Sequence, residues 1–358
     1  MTTLERRAIP RYLLDRRLVT AREVVDGGLR IVDASRSHTV SLVRVADRGG
    51  FAVKQHRPED PETANRIRRE SQVYRFAGTR DSLREAMPAF HGDGESSELV
   101  VLELLDPAET LLPHNYRLGG LAPEVAASLG AAIAGWHRDT RGSDLDGLPG
   151  HLPWVFTLFE PGPAQFAWQD PNMGAALATL PDAPGLMTLL KRAAERWQRD
   201  CLMHGDLRSD NCLVIDGGPE VKVIDWELAD HGDPAWDVGG ILQEYLAQEA
   251  LRGGALALPT PEGVLAATPF GDASPRSIAA ALWRGYVPAA QLPDAEAARE
   301  LIERSITFAG ARMVQSTLEY ASRDGPQSPV IAPLFRMSAS LMGDGQPFVD
   351  ELLSTGSQ

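Results

Sequence analysis

The hydrophobic periodicity changes once along this chain, and that change constrains the fold more than any other feature. In the first hundred residues, short runs such as 39–45 and 51–54 carry β-branched residues at alternating positions, which is typical of antiparallel strands. Further along the chain the pattern is mostly helical, with a strand-like interruption around residues 201–225. Strands followed by helices predict an α+β fold with two lobes, a strand-rich lobe over residues 1–105 and a mostly helical lobe over residues 106–358.

Local signals divide the first lobe further. Asp60-Pro61 predicts the start of a helix, which should run to about Ala77. The sequence Arg48-Gly49-Gly50 predicts a hairpin turn between two strands. Apolar residues at helical spacing predict an amphipathic helix over residues 4–20.

The composition is that of a folded protein. Of the 358 residues, 43% are hydrophobic and 23% are charged, which excludes a disordered chain, a coiled coil and a collagen-like repeat. The two cysteines, Cys201 and Cys212, are too few for a disulfide framework or a four-cysteine zinc site. Because neither a signal-peptide pattern nor a membrane-spanning stretch is evident, we expect a cytoplasmic protein with no membrane partner.

Charge is unevenly distributed along the chain. Residues 1–80 contain 17 basic and 10 acidic residues, whereas the rest contains 18 basic and 39 acidic ones, and the net charge is −14. A basic first part suits an anion such as a nucleotide phosphate, while an acidic remainder favours cationic partners and disfavours nucleic acid. An ordinary solvated surface accounts for the same numbers, so charge alone does not decide.

Lysine is rare in this chain. Arginine supplies 32 of the 35 basic residues, and the three lysines are Lys54, Lys191 and Lys222. Lys54 lies in a strand-like run, where a compact charge on a slim stem is not replaced by the planar fork of arginine. We therefore single out Lys54 as a candidate binding residue.

The strongest chemical signal is a polar segment in the helix-rich part. His204-Gly205-Asp206-Leu207-Arg208-Ser209-Asp210-Asn211 is followed by Val221-Lys222-Val223-Ile224-Asp225. Phosphoryl transfer to an alcohol needs a carboxylate near the acceptor hydroxyl and oxygen ligands for magnesium on the phosphates. Asp206, Asn211 and Asp225 supply such groups. A chance match to the first motif has a probability on the order of 0.002, so a plain polar turn is the weaker explanation.

With these motifs the chain resembles the aminoglycoside phosphotransferase and choline kinase family, a branch of the protein-kinase-like fold. The resemblance covers most of the chain, and it implies a bilobal architecture with ATP and Mg²⁺ as cofactors. The segments that carry it are Val53-Lys54, Glu70 in 68–71, the strand 100–105, and the motifs at 134–137, 204–211, 224–226 and 232–238.

The resemblance implies roles for residues of the nucleotide site. Lys54 would contact the α- and β-phosphates, and Glu70 would hold it by an ion pair. Glu103 and Leu105 would border the adenine through backbone groups in the link between the lobes.

The resemblance implies further roles in and around residues 204–211, which would form the catalytic segment. Asp206 would be the catalytic base, or the group that orients the acceptor hydroxyl, and Asn211 and Asp225 would be magnesium ligands. Asp237 would support the catalytic loop near His204 through hydrogen bonds, so that its loss would lower stability as well as rate.

Two positions depart from the usual family pattern. The turn over residues 33–39 has no glycine, although family members often carry glycine where backbone amides cover the phosphates. Ser35, Ser37 or Arg36 would contact the phosphates with side chains in its place, and a plain polar hairpin is an equal alternative. Arg208 stands where protein kinases usually have a lysine, and it either stabilises the transferring phosphoryl group or pairs with a nearby carboxylate.

Two other features each allow two interpretations. The aromatic stretch between Trp154 and Trp168 fits either a core or an acceptor pocket, and we favour a core. The carboxylates Glu227, Asp230 and Asp233 fit either a site for a cationic acceptor or a solvated acidic loop.

The sequence therefore predicts an ATP- and Mg²⁺-dependent kinase that phosphorylates an alcohol. The acceptor is either a cationic small molecule of the aminoglycoside or choline type, or a serine or threonine of a ribosomally made precursor peptide. Kinase-like relatives act on such peptides in lanthipeptide and thioamitide biosynthesis, where the partner would be a lyase. The alternative is a pseudokinase that binds nucleotide without turnover; the glycine-free turn favours it, whereas the intact Lys54, Asp206, Asn211 and Asp225 oppose it.

Overall fold

A computed structural model describes residues 4–355 except 36–37, 95–97, 112–113, 115–121, 146, 161, 163–164, 180–182 and 253–274. The chain forms two compact units, and neither is continuous in sequence. The first contains the residues up to Glu109 together with Leu213–Ala229, and the second contains Thr110–Cys212 together with the residues from Asp230 onward.

Strands and helices alternate with short 3-10 turns along the described residues. The strands are β1 (Leu29–Asp33), β2 (Thr39–Val45), β3 (Arg48–Gln55), β4 (Phe90–Asp93), β5 (Leu99–Leu104), β6 (Ala108–Thr110), β7 (Cys201–Met203), β8 (Cys212–Ile215), β9 (Val221–Val223) and β10 (Asp230–Gly232). The α-helices are α1 (Ile9–Asp15), α2 (Ala21–Val25), α3 (Pro61–Ala77), α4 (Asp81–Ala86), α5 (Pro123–Thr140), α6 (Gln165–Gln169), α7 (Pro171–Ala178), α8 (Ala183–Glu195), α9 (Pro234–Arg252), α10 (Pro275–Ala290), α11 (Ala295–Asp324), α12 (Ile331–Gly343) and α13 (Gln346–Thr355).

A five-stranded antiparallel sheet in the order β1-β2-β3-β5-β4 forms the centre of the first unit. Ile9 and Leu13 of α1 are fully buried and pack with apolar side chains of β2, β3 and β5. In β2, Val43 and Val45 are buried while Arg44 between them is exposed, as the two-residue period of a strand requires. This sheet positions Lys54, which lies on its central strand.

Helix α3 begins and ends where its sequence predicts. The Asp60 side chain accepts a hydrogen bond from the Glu62 backbone N–H at 3.0 Å, and Pro61 occupies the first turn. The helix ends at Ala77, followed by Gly78. Its buried face carries Glu70 among apolar residues, which brings a charged group into the interior.

The turn predicted at Arg48-Gly49-Gly50 is wrong, because all three residues lie in β3. The chain turns one step earlier, where Asp47 adopts a φ of 63°. Gly50 is needed for packing instead, since a Cβ there would lie 2.0 Å from the Val43 carbonyl oxygen. Glycine at this position marks a close approach of two strands rather than a turn.

The single helix predicted over residues 4–20 is also wrong. Helix α1 ends at Asp15, Arg17 adopts a φ of 59°, and α2 starts again after Thr20. Thr20 and Glu23 form a reciprocal capping box, which satisfies backbone N–H groups of a new helix. A cap of this kind favours a new start over continuation of α1.

The second unit is mainly helical, with α5 packed against α10 and α11 packed against α9 and α12. Four aromatic rings meet in its core, with centroids 5.5 to 6.2 Å apart: Phe156, Trp197, Trp236 and Phe308. Part of the aromatic stretch is therefore core, as we favoured, whereas Phe166 and Trp168 remain 45% and 44% exposed.

Two glycines of α9 allow three segments of the second unit to pack closely. A Cβ on Gly239 would lie 2.8 Å from the Ser305 carbonyl oxygen of α11. A Cβ on Gly240 would lie 2.7 Å from the Leu207 carbonyl oxygen in the catalytic segment. Helix α9 thus fixes the catalytic segment and α11 by direct backbone contact.

Among the described helices, none is long and apolar enough to cross a lipid bilayer.

Candidate active site

Lys54 is surrounded by carboxylates in the first unit. Its neighbours across the sheet are Val40 and Val100, and it is only 8% exposed. The Lys54 Nζ atom lies 2.7 Å from Glu70 Oε2 and 2.8 Å from Glu227 Oε2, and it also donates to Asp225 Oδ1. One ammonium group is therefore shared by three carboxylates.

Burial and charge act in opposite directions on this cluster. Burial by itself lowers the pKa of Lys54, but the charges of Glu70, Asp225 and Glu227 raise that pKa well above its usual value. Burial raises the pKa of Glu70, and the nearby Lys54 charge opposes this shift. Lys54 is thus a fixed cation that suits an anionic ligand.

The backbone at Asp225 is left-handed, with φ 69° and ψ 52°. This conformation costs a non-glycine residue about 1 to 2 kcal/mol; it occurs in turns, and strained residues of this kind also cluster at active sites. A 3-10 helix follows at Trp226–Leu228, where the Trp226 indole N–H donates to the Val223 carbonyl oxygen at 3.1 Å. The Asp225 side chain remains 33% exposed beside Lys54, which leaves part of the carboxylate accessible.

Glu227 belongs to the same cluster, although its sequence suggested only an acidic loop or an acceptor contact. Its Oε2 atom lies 3.0 Å from His38 Nδ1, and its Oε1 atom lies 3.5 Å from Arg66 Nη1. Burial disfavours the charged carboxylate, yet the hydrogen bond from His38 and the charge of Lys54 lower the pKa of Glu227. The two-residue spacing from Asp225 was the available sequence signal.

The remaining candidates of the nucleotide site have mixed placements. Ser35 lies in an exposed turn, where its Oγ atom accepts from the Val40 N–H at 3.0 Å and so closes the hairpin. Arg36 and Ser37 lie outside the described residues. Glu103 is in β5, where its N–H donates to the Ala89 carbonyl oxygen and its carboxylate accepts from the Ala89 N–H. Leu105 directly follows β5 and is half-buried.

In the second unit, Asp206 follows β7 at the start of the catalytic segment. Asn211 donates from Nδ2 to the Asp206 carbonyl oxygen at 2.9 Å, which holds both residues in one turn. Arg208 Nε lies 3.6 Å from Asp206 Oδ2, so this arginine pairs with Asp206, whereas Asp233 pairs with Arg304. The described contacts therefore bring Asp206, Arg208 and Asn211 together.

Arg312 of α11 is a contact that sequence reasoning missed. Its Nη2 atom donates to Asp206 Oδ1 at 2.9 Å, its guanidinium lies over the Trp236 ring, and only 4% of the residue is exposed. Burial raises the pKa of Asp206, but Arg312 and Arg208 together bring it below its usual value. With more than 100 residues between Asp206 and Arg312, no local motif signals this pair.

Buried hydrogen bonds support the catalytic segment. Asp237 accepts from the backbone N–H groups of His204 at 2.7 Å and Gly205 at 3.0 Å. His137, fully buried, lies 3.2 Å from Asp237 Oδ2 and 2.9 Å from the Tyr286 hydroxyl. Gly205 has a φ of 83°, a conformation that glycine adopts without strain. Asp237 therefore organises backbone groups rather than side chains of the site.

A second anchor holds the other end of the segment. Glu244 of α9 accepts hydrogen bonds from the Ser209 backbone N–H at 2.9 Å and from the Ser209 hydroxyl. Burial raises the pKa of Glu244, and these hydrogen bonds oppose the shift. Ser209, with Glu244, is a further supporting residue that the motif alone did not identify.

Comparison with known proteins places this geometry in a family. The model of the phosphotransferase enzyme family matches residues 28–300, which is well over half of the chain. No curated protein sequence matches the chain. The matched range contains Lys54, Asp206 and Asp225.

Several solved structures share the fold. An ethanolamine kinase from Plasmodium vivax has a TM-score of 0.55 at 14% identity, with 99% of this chain and 89% of that chain covered. A macrolide 2'-phosphotransferase from Brachybacterium faecium has a TM-score of 0.51 at 18% identity, with 94% and 98% covered. The GDP complex of aminoglycoside 2'-phosphotransferase-IIIa has a TM-score of 0.55 at 12% identity, with 95% and 100% covered.

These likenesses confirm the predicted α+β, protein-kinase-like fold, and at such identities they show the fold alone. The family match carries the identity, because it spans both Lys54 and the segment 204–211. The earlier resemblance to aminoglycoside phosphotransferases and choline kinases is confirmed in the same way. The chain belongs to the phosphotransferase enzyme family and is a kinase-like phosphotransferase.

Proposed function

We propose that this enzyme transfers the γ-phosphate of ATP, with Mg²⁺, to the hydroxyl group of a small-molecule alcohol. The observation that carries the proposal is the arrangement at Lys54, a buried ammonium group held by Glu70 and bonded to Asp225. A lysine paired with a helix glutamate and adjacent to a metal-binding aspartate is the arrangement that kinases use for nucleotide phosphates. Lys54 binds the α- and β-phosphates in this proposal.

Asp225 and Asn211 are the proposed magnesium ligands, and their chemistry fits the ion. Mg²⁺ prefers carboxylate and carbonyl oxygens as ligands. The Asp225 carboxylate is partly exposed beside Lys54, so it remains accessible to the ion. Asn211 uses its Nδ2 group to hold Asp206, so its amide oxygen is the group left to offer. Bound magnesium supplies neutralisation of the negative charge on the β- and γ-phosphates.

Backbone groups at the end of β5 and directly after it are proposed to border the adenine. Because the Glu103 N–H already donates to Ala89, we assign the amide contact to Leu105, while Glu103 borders the base. The Ser35 hydroxyl accepts a hydrogen bond from the Val40 N–H within its own hairpin. We therefore propose that Ser35 supports the hairpin and is not a strong phosphate ligand. Ser37 keeps its proposed phosphate role from the sequence alone.

At the acceptor end, Asp206 orients the attacking hydroxyl. Its pKa is below the usual value because Arg312 and Arg208 outweigh burial, so the carboxylate is a weak base at neutral pH. We therefore favour orientation of the hydroxyl, with the proton passing to Asp206 as the new oxygen–phosphorus bond forms and ADP leaves. Arg208 is proposed to contact the transferring phosphoryl group, and Asp237 and His204 to hold the loop.

For the acceptor we propose a cationic small alcohol in the cytoplasm. The acidic balance beyond residue 80 supports a cationic partner, as do the names of similar structures, an ethanolamine kinase and an aminoglycoside phosphotransferase. Both cysteines are buried free thiols, in keeping with a reducing compartment. The competing acceptor is a serine or threonine of a precursor peptide with a partner lyase, and the competing class is a pseudokinase.

The test is magnesium-dependent ATP consumption by the wild type beside Asp206→Asn. The panels are amino sugars and aminoglycosides, small amino alcohols, and Ser/Thr-rich peptides. Asp344→Asn, an exposed aspartate in the same unit, is the matched control. We expect the small cationic alcohols to stimulate turnover in the wild type and the control but not in Asp206→Asn. Stimulation by peptides alone would overturn the acceptor class, and binding of ATP without any turnover would favour the pseudokinase.

A further inference from the structure

His38 is a buried residue at the end of the β1–β2 turn, whereas the described residues at the start of that turn are exposed. The side chains of Asp33, Ala34 and Ser35 are exposed to solvent, whereas His38, directly before β2, is 1% exposed. This turn connects β1 to β2, and it is the turn over residues 33–39 that contains no glycine. The buried imidazole therefore anchors the chain directly before β2.

The partner of His38 is the carboxylate that also holds Lys54. Glu227 Oε2 lies 3.0 Å from His38 Nδ1 and 2.8 Å from Lys54 Nζ, so both nitrogen atoms bind the same oxygen atom. The other oxygen of Glu227 lies 3.5 Å from Arg66 Nη1 of α3. Glu227, itself 6% exposed, thus joins the β1–β2 turn, the central strand and helix α3 at one point.

Glycine-rich turns cover phosphates because their backbone comes close and because their amide groups point at the anion. Asp33-Ala34-Ser35-Arg36-Ser37-His38-Thr39 lacks that freedom. The contact between the His38 and Glu227 side chains provides another way to fix the chain where β2 begins. It holds His38 in place before the nucleotide binds, so that less conformational entropy is lost there on binding.

We propose that His38 is a positioning residue for the nucleotide, acting through Glu227 to hold the start of β2 beside Lys54, the proposed phosphate ligand. The inference rests on the proposed function, because it assigns the ligand of Lys54 as a nucleotide phosphate. Neither residue needs to touch the nucleotide. Their effect is on the position of the start of β2 and on the orientation of Lys54.

The test measures binding of a non-hydrolysable ATP analogue with Mg²⁺ by calorimetry, which requires no acceptor. His38→Ala should raise the dissociation constant about tenfold, the factor expected for loss of a hydrogen bond to a charged group. His38→Gln should recover most of the affinity, because its side-chain amide can donate to Glu227. His56→Ala is the control, since His56 is another histidine of the first unit beside a glutamate, Glu98, and it should bind as the wild type does.

A double-variant cycle distinguishes a shared tie from two separate effects. If His38 acts through Glu227, His38→Ala combined with Glu227→Gln should bind no more weakly than the weaker single variant. Full multiplication of the two effects would overturn the proposal. Thermal unfolding of each variant without nucleotide checks that the fold persists, and the Gln variant at position 38 provides the comparison if Ala destabilises the unit.

The two proposals fail in different ways. If the wild type binds no nucleotide, or if Lys54→Met binds as well as the wild type, the proposed function fails and this inference with it. If the wild type binds, Lys54→Met loses binding, and His38→Ala binds like the wild type, only the role of His38 is overturned.

Discussion

Asp206 and Arg312 show how much one residue's chemistry depends on a distant partner. The carboxylate that the motif identifies is held by a buried guanidinium from α11, and this guanidinium is itself packed on Trp236. The contact fixes the rotation of the carboxylate as well as its charge. Since positioning dominates phosphoryl transfer, the orientation of Asp206 should matter as much as its presence.

At this scale we predict that Arg312→Met lowers the turnover number about 10- to 100-fold, the range that a misplacement of about 1 Å produces. The affinity for nucleotide should change little. The measurement is steady-state ADP release together with nucleotide binding. Arg299→Met, on the same helix and paired with Glu303, is the control and should retain full activity. Equal activity of Arg312→Met and the wild type would contradict the prediction.

At the scale of elements, close backbone packing decides where the catalytic segment lies. Helix α9 touches that segment at Gly240 and α11 at Gly239, and Asp237 and Glu244 of the same helix bind the segment's backbone. One helix therefore binds the segment near its beginning, through Asp237, and near its end, through Glu244. The two hydrogen-bonding carboxylates fix its orientation, while the two glycines fix its distance.

Gly240→Ala should lower the free energy of unfolding by about 1 to 3 kcal/mol, because its Cβ would meet the Leu207 carbonyl oxygen at 2.7 Å. Turnover should fall as well, since Leu207 adjoins Asp206. Urea unfolding and ADP release measure the two effects. Gly343→Ala is the control, because its Cβ would meet only the Leu189 side chain at 3.6 Å. An unchanged free energy of unfolding in Gly240→Ala would contradict the prediction and would mean that α9 can move away from Leu207.

A second prediction at this scale concerns the cap of α2. Hydrogen bonds from Arg48 and then from Thr20 lower the pKa of Glu23 from 4.5 to about 2. Because the folded-state pKa is depressed, this contribution to stability is complete above pH 4.5 and is lost as the pH falls towards 2. Carboxyl NMR titration should find this low pKa in the wild type and a value nearer 4.5 in Arg48→Ala. The same pKa in both proteins would contradict the assignment.

At the scale of the whole molecule, the first unit is assembled from two separate parts of the chain. Asp225, Glu227 and the fully buried Trp226 come from Leu213–Ala229, more than 100 residues after the sheet that they join. Without this segment Lys54 would keep Glu70 but lose two of its three carboxylates. The carboxylate cluster around Lys54 is therefore complete only when Leu213–Ala229 has packed onto the first part of the chain.

We predict that residues 1–109 expressed alone do not form a stable unit. Removal of residues 213–229 uncovers the faces of α3 and α4 that pack against them. It also takes two of the three carboxylates away from Lys54 and removes Glu227 from Arg66. Proton NMR dispersion and urea unfolding are the measurements. A well-dispersed spectrum with a cooperative transition would contradict the prediction. The full chain, measured in parallel, should unfold cooperatively.

Much of the fold was predictable because its signals are local. The alternation in β2, the Asp60-Pro61 start of α3 and the motif from His204 to Asn211 all act over a few residues, and the structure contains each element. Errors arose where a local signal had two physical causes. Glycine at position 50 serves close strand packing rather than a turn, and Thr20 begins a second helix that the apolar pattern could not separate from the first.

The sequence by itself determined the order of strands and helices, the family and the polar residues at Lys54, Asp206, Asn211 and Asp225. Those depend on spacing, which a linear chain records. Only the tertiary structure decided that Glu227 and His38 join Lys54 and that Arg312 binds Asp206. These contacts depend on which helix packs where, a property of the whole core, and ordinary charged residues carry no local mark of their eventual partners.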